Sequence, residues 1–162
     1  MAPVLKTGRV NSPLRFESLI LRQSMPINKS WYTSDKDHWA TPQALFDQLN
    51  EEFHFTVDVC ADEQNHKCPV YWSKQQDGLQ QDWSGHVCWV NPPYGRTTGL
   101  WVAKASAHNA VCLLPARTDT VLFHQYIWKK AELRFIKGRL HFNDGPGRAP
   151  FPSMVVIFKQ PR

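Results

Sequence analysis

The chain has 162 residues, 42% of them hydrophobic, 12% aromatic and 20% charged, with a net charge of +5. That composition excludes a disordered chain and supplies enough apolar surface for one packed domain. No apolar run reaches the length that spans a bilayer, and Lys, Arg, Asn and Glu interrupt the N-terminal segment where a secretory signal would be apolar, so a cytoplasmic protein without membrane contact is expected.

The charge is unevenly distributed. Residues 31 to 95 hold three basic and ten acidic residues, whereas 96 to 162 hold eleven basic and three acidic. A basic second half is a candidate surface for phosphate. The four cysteines, Cys60, Cys68, Cys88 and Cys112, form no C-x-x-C pair and read as reduced structural thiols; Cys60, His66 and Cys68 match no zinc spacing, so no metal is expected.

Residues 1 to 30 lack periodicity and read as a flexible N-terminal extension, with Met25 as an alternative start. From Trp31 to the end a single α/β domain is expected. Thr41 and Pro42 predict the cap and first position of a helix over 42–52, with Leu45, Phe46, Leu49 and Phe53 on one face. FTVDV (55–59) and HVCWV (86–90) read as short strands. TGLWVAKASAHN (98–109) reads as a helix, AVCLL (110–114) as a buried strand and DTVLFHQYIWKK (119–130) as a helix with its acidic residue first and its lysines last. ELRFI, RLHF and MVVIF predict three further strands, the last two separated by a Gly/Pro loop. This order predicts a compact Rossmann-like fold: a mostly parallel open sheet, helices on both faces and an antiparallel strand near the C-terminus. Ligands of such sheets bind at the carboxyl ends of the strands, where Asp58–Asp62, Asn91–Gly95 and Pro115–Asp119 fall.

The Asn91-Pro92-Pro93-Tyr94 run after the second strand resembles the signature of methyltransferases that act on an amino or amide nitrogen. An exocyclic amine conjugated to a ring is a poor nucleophile. An Asn91 oxygen and a Pro92 carbonyl that each accept one of its N–H groups would return the lone pair to the nitrogen, and Pro92 and Pro93 would fix the backbone without competing donors. Tyr94 offers a flat face for an extruded base.

WATPQALFDQL, DVCAD, DGLQQDW, WVNPPYG, LLPARTDT, FIKGRLHF and APFPS, in this order, resemble the phage DNA N-6-adenine-methyltransferase (Dam) family over about residues 31 to 160. The resemblance implies S-adenosyl-L-methionine as methyl donor, S-adenosyl-L-homocysteine as product, double-stranded DNA as substrate and phage or prophage origin. It implies Asn91, Pro92, Pro93 and Tyr94 as catalytic residues. It implies a cofactor site of Trp39, Thr41, Pro42, Asp58, Cys60, Ala61, Asp62, Asp82, Trp83 and Asn91, with Asp82, nine residues before Asn91, on the adenine amine. The glycine-rich turn usual after the first strand of such enzymes is missing from DVCADEQN. Asp77, in a DG turn, reads as structural.

Arg96, Arg117, Lys137, Arg139 and Arg148 are the candidate DNA contacts. Little chain remains after the final strands for a separate target-recognition domain, so short or relaxed sequence specificity is expected, in a monomer or weak homodimer. Two other readings stay open: methylation of another nitrogen, on an RNA base or a protein glutamine, and an inactive DNA-binding derivative.

Overall fold

A computed structural model describes residues 39–161; the expected N-terminal extension and Met25 lie outside the described residues. Five strands form one sheet: β1 (Val57–Asp58), β2 (Cys88–Val90), β3 (Ala110–Pro115), β4 (Glu132–Phe135) and β5 (Ser153–Phe158), in the order β1-β2-β3-β5-β4. β1, β2 and β3 are parallel, and β5 runs antiparallel to both β3 and β4. The expected Rossmann-like sheet and its late antiparallel strand are therefore present. β3 and β5 are buried along their whole length, which explains why AVCLLP and SMVVIF read as continuous apolar runs instead of alternating ones.

The helices lie on both faces. Helix α1 (Gln43–Phe53) buries Phe46 and Leu49 in a cluster with Trp89, Val111, Leu113, Val155 and Ile157. Helix α2 (Thr98–Ala105) buries Trp101, Val102 and Ala105 on the opposite face, against Cys88, Val90, Cys112 and Val156. Strand residues one apart alternate between these clusters, as the two-residue period of a strand requires. Outside β1, Tyr71 forms a parallel bridge to Asp58, extending the sheet by one short segment.

Three local expectations are corrected. The N-cap of α1 is Pro42, at φ −56° and ψ 132°, and Thr41 makes no cap bond: the helix begins one residue later than expected. The segment 119–130 is shorter and wider than an α-helix. Thr120 Oγ1 accepts the Phe123 N–H, Phe123–Ile127 is a π-helical turn, and the Trp128 N–H reaches five residues back to the Phe123 carbonyl. RLHF is not a strand. Residues 139–141 lack regular structure, Phe142–Asp144 is a 3-10 turn, and Asn143 and Asp144 take left-handed backbone angles that end any extended run.

Candidate active site

Since β1, β2 and β3 are parallel, the chain leaves all three at one carboxyl edge: at Val59 to Asp62, at Asn91 to Gly95 and after Pro115. β4 points the same way as β3, so the connection from Ile136 to Pro152, which joins the end of β4 to the start of β5, also lies at this edge. The N-terminus of α1 joins them, because α1 precedes β1 and runs back along the sheet.

Asn91 follows directly on β2. Its Nδ2 donates to the Trp39 carbonyl at 2.6 Å. A carbonyl can only accept, so the amide nitrogen is fixed on that side and Oδ1 faces the other way. The Tyr94 hydroxyl is shared between Asn91 Oδ1, 3.0 Å away, and the Leu113 carbonyl, at 3.2 Å. Burial raises the Tyr94 pKa far above that of a free phenol, so this hydroxyl remains a donor. Asn91 Oδ1 keeps a second lone pair. Thr98 Oγ1 ties the turn shut, donating to the Pro93 carbonyl and accepting the Gly95 N–H, both at 2.8 Å. Among the described residues the Pro92 carbonyl takes no hydrogen bond.

Tyr94 is held on edge by Phe142 and Phe151, with centroids 6.2 and 5.5 Å away and interplanar angles of 78° and 84°. Trp39 meets the same two rings edge-on at 5.3 Å. Tyr94 is thereby a rigid wall of a cavity of about 100 Å³, whose lining includes Gly95, Thr98, Pro115 and Arg117.

The loop after β1 replaces glycines with carboxylates. Asp58 Oδ1 accepts the Cys60 N–H at 3.3 Å and Oδ2 accepts the Lys67 N–H at 3.0 Å. Asp62 Oδ1 accepts the Gln64 and Asn65 N–H groups, and the Asp62 N–H donates to Asn65 Oδ1. Burial pushes the Asp58 carboxyl up to about 6, against the lowering effect of these N–H groups and of His66 and Lys67. A glycine does meet this loop from elsewhere: a Cβ on Gly78 would overlap the Val59 carbonyl oxygen. The turn that carries Gly78 brings Asp77 close enough to Cys60 to act on it electrostatically, together with Asp58 and Asp62. Asp77 is thus a carboxylate at this edge that reads from sequence as a turn residue. The one signal for it is the glycine beside it.

Two buried side-chain hydroxyls have no partner among the described residues: Thr41 Oγ1 and Ser153 Oγ, on residues each 2% exposed. Both residues stand at the carboxyl edge. Pro42 lies beside Thr41 and lines a shallow groove with Arg139, His141 and Asp144, while Cys60 and Ala61 continue the loop from Asp58.

Asp82 and Trp83 are placed elsewhere. Trp83 is 1% exposed, donates its indole N–H to the Gly78 carbonyl and packs between Trp72 and Trp101. It is a core residue. Asp82 is exposed, accepts the Ser84 N–H and faces His108 and Lys104 at the far end of α2. The reason is geometric. Asp82 precedes β2 and Asn91 follows it, so the strand itself, at about 3.3 Å per residue, holds them at opposite edges of the sheet.

Arg96, Arg117, Lys137, Arg139 and Arg148 are all exposed, all at the carboxyl edge, and make no side-chain hydrogen bond or ion pair with a described residue. Other basic side chains are engaged: Arg134 with Glu52 and Glu132, Lys159 with Glu132, and Lys104 with the carbonyls of Leu79 and Gln81. No helix among the described residues is long and apolar enough to cross a membrane.

The chain is similar to known proteins over most of its length. Residues 29–160 match the family described as DNA N-6-adenine-methyltransferase (Dam). The DNA N-6-adenine-methyltransferase of Haemophilus phage HP1 is 32% identical over 139 residues, covering 78% of this chain and 80% of that protein. An Escherichia coli K12 protein named "Putative methyltransferase YfdM" is 34% identical over 65 residues, covering 36% of this chain and 71% of its own length. With an Asn-Pro-Pro-Tyr turn at the carboxyl edge of a Rossmann-like sheet and a family match over most of its length, the chain belongs to the DNA N-6-adenine-methyltransferase (Dam) family and is a DNA adenine methyltransferase.

Proposed function

We propose that the enzyme methylates N6 of an adenine turned out of double-stranded DNA, by direct in-line transfer without a covalent enzyme intermediate and without a metal. The observation that carries this reading is the pair of acceptors on one locked turn: the second lone pair of Asn91 Oδ1 and the Pro92 carbonyl, which takes no hydrogen bond from a described residue. Two acceptors on neighbouring residues suit the two N–H groups of an adenine amine, and accepting both moves electron density back onto the nitrogen. The Tyr94 ring, fixed by Phe142 and Phe151, supplies a wall for the base.

The fold family implies S-adenosyl-L-methionine, which supplies an electrophilic methyl group and leaves as S-adenosyl-L-homocysteine. The residues present fit it. The Thr41 hydroxyl, buried beside the N-terminus of α1 and without a partner among the described residues, is a polar atom available to a ligand, and anions are favoured at such helix ends. In this reading Trp39, Thr41 and Pro42 hold the amino-acid end of the cofactor, and the Asp58, Cys60, Ala61 and Asp62 loop lies along its ribose. Asp77 takes the adenine-amine role that the family resemblance implies for Asp82. Arg96, Arg117, Lys137, Arg139 and Arg148 contact DNA phosphates around the rim.

The test uses the full chain with unmethylated plasmid DNA. Wild-type enzyme should deposit N6-methyladenine, and Asn91→Ala should lose turnover while keeping a cooperative thermal unfolding transition. An active Asn91→Ala enzyme, or faster turnover on tRNA than on duplex DNA, would refute the reading.

A further inference from the structure

The catalytic amide is not positioned by its own turn alone. Asn91 Nδ2 bonds the carbonyl of Trp39, and the next residue, Ala40, is gripped from the other side by Asn143. The Ala40 N–H donates to Asn143 Oδ1 at 2.7 Å, and the Asn143 N–H donates to the Ala40 carbonyl at 2.8 Å. This closed pair joins residues 103 apart in sequence. Asn143 sits in left-handed backbone, at φ 58° and ψ 21°, a conformation that asparagine tolerates better than most residues. Its neighbour Phe142 is buried and packs on both Trp39 and Tyr94. The connection that contains Asn143 also carries Lys137, Arg139 and Arg148, whose side chains are exposed.

We infer that Asn143 is a positioning residue for methyl transfer, a clamp that fixes the Trp39–Ala40 segment and through it the Asn91 amide, coupling the seating of the cationic 136–152 connection to the geometry of the acceptor. The inference rests on the proposed role of Asn91. It assigns a catalytic consequence to a residue that touches neither base nor cofactor. When the clamp opens, Trp39 loses its anchor, the Asn91 amide can rotate, and the acceptor no longer meets the amine in one orientation. A misplacement of about 1 Å can cost on the order of a hundredfold in rate.

Two variants separate clamp from scaffold. Asn143→Gly keeps the left-handed backbone and removes the side-chain acceptor; Asn143→Asp keeps an acceptor oxygen in the same place. Single-turnover methylation of unmethylated plasmid DNA at saturating DNA and S-adenosyl-L-methionine, measured well below each variant's Tm, should fall at least about tenfold in Asn143→Gly and return to within about threefold of wild type in Asn143→Asp. A merely structural residue would lower Tm and leave that rate intact. Wild-type single-turnover rates in Asn143→Gly, or an equal loss in both variants, would overturn the inference. Asn91→Ala run in parallel keeps the two readings apart: if it is active, the acceptor assignment fails; if it is dead while Asn143→Gly is fully active, only the clamp fails.

Discussion

Gly78 passes so close to Val59 that a β-carbon there would overlap the Val59 carbonyl oxygen and stand 3.2 Å from the Trp101 ring. The approach packs the Asp77 turn directly on the end of β1. Gly78→Ala should therefore force backbone apart at the floor of the site and cost about 1–3 kcal/mol, the range for overpacking in an interior. Urea denaturation checks this, and an unchanged midpoint would show that the turn yields freely.

The carboxyl of Asp58 is expected to make stability fall as pH rises through its titration. Burial puts the native group at about 6, while the unfolded chain titrates near the ordinary value of 3.8. Between those values the native state holds a proton that the unfolded state has lost, so the contribution is greatest below about 4 and is reduced, by on the order of 2–3 kcal/mol, above about 6. Asp58→Asn cannot ionise, and its stability should change less than that of wild type between pH 4 and 7. Parallel pH curves would show that Asp58 does not titrate in this window.

Tyr94→Phe retains the ring contacts with Phe142 and Phe151 and removes only the hydroxyl that bridges Asn91 and Leu113. It should cost about 1 kcal/mol of stability, the value of a typical hydrogen bond. Base capture should survive in Tyr94→Phe and weaken in Tyr94→Ala by about 1–3 kcal/mol, the range for base stacking. Equal DNA affinity in all three proteins would remove Tyr94 from the base contact.

Replacement of Lys137, Arg139 or Arg148 by Ala should weaken DNA binding without regard to sequence and reduce the slope of log affinity against log salt by about 1 each. Arg134→Ala should leave that slope unchanged, since its guanidinium is committed to Glu52 and Glu132. Fluorescence titrations at several salt concentrations distinguish the two groups.

Cys68, Cys88 and Cys112 are buried, and burial pushes the thiols of Cys68 and Cys88 up to about 12. Alkylating reagents should therefore leave these three unmodified in the native enzyme and label them fully after unfolding, as mass spectrometry would show. Rapid native labelling of Cys88 or Cys112 would contradict the packing of β2 and β3.

The sheet was legible because its signals are one-dimensional. AVCLLP and MVVIF are uninterrupted apolar runs with turn residues at their ends, and Asn-Pro-Pro-Tyr is chemically specific at any distance from its partners. RLHF misleads because its alternation is that of a strand, whereas the following Asn143 and Asp144 adopt left-handed angles under the pull of Ala40, a contact that no local window contains. Asp82 stands apart from Asn91 for the opposite reason. Nine residues look near in sequence, but β2 carries the chain across the sheet between them. Asp77 is farther from Asn91 in sequence, yet the close approach of Gly78 to Val59 returns its turn to the carboxyl edge.

The reversed direction of β5 decides where the chain must turn. A strand that runs against its neighbours obliges the chain to turn round at the edge that carries Asn91 and Tyr94, between β4 and β5, and the residues spent on that turn are tethered at both ends by strands of the sheet. Residues 136–152 are accordingly fixed at their two ends and again in their middle, where Phe142 and Ala149 are buried and Asn143 bonds Ala40. The exposed side chains of Lys137, Arg139 and Arg148 thus stand on a segment held at three points, so their spacing along the edge is set by the sheet and by Asn143 together.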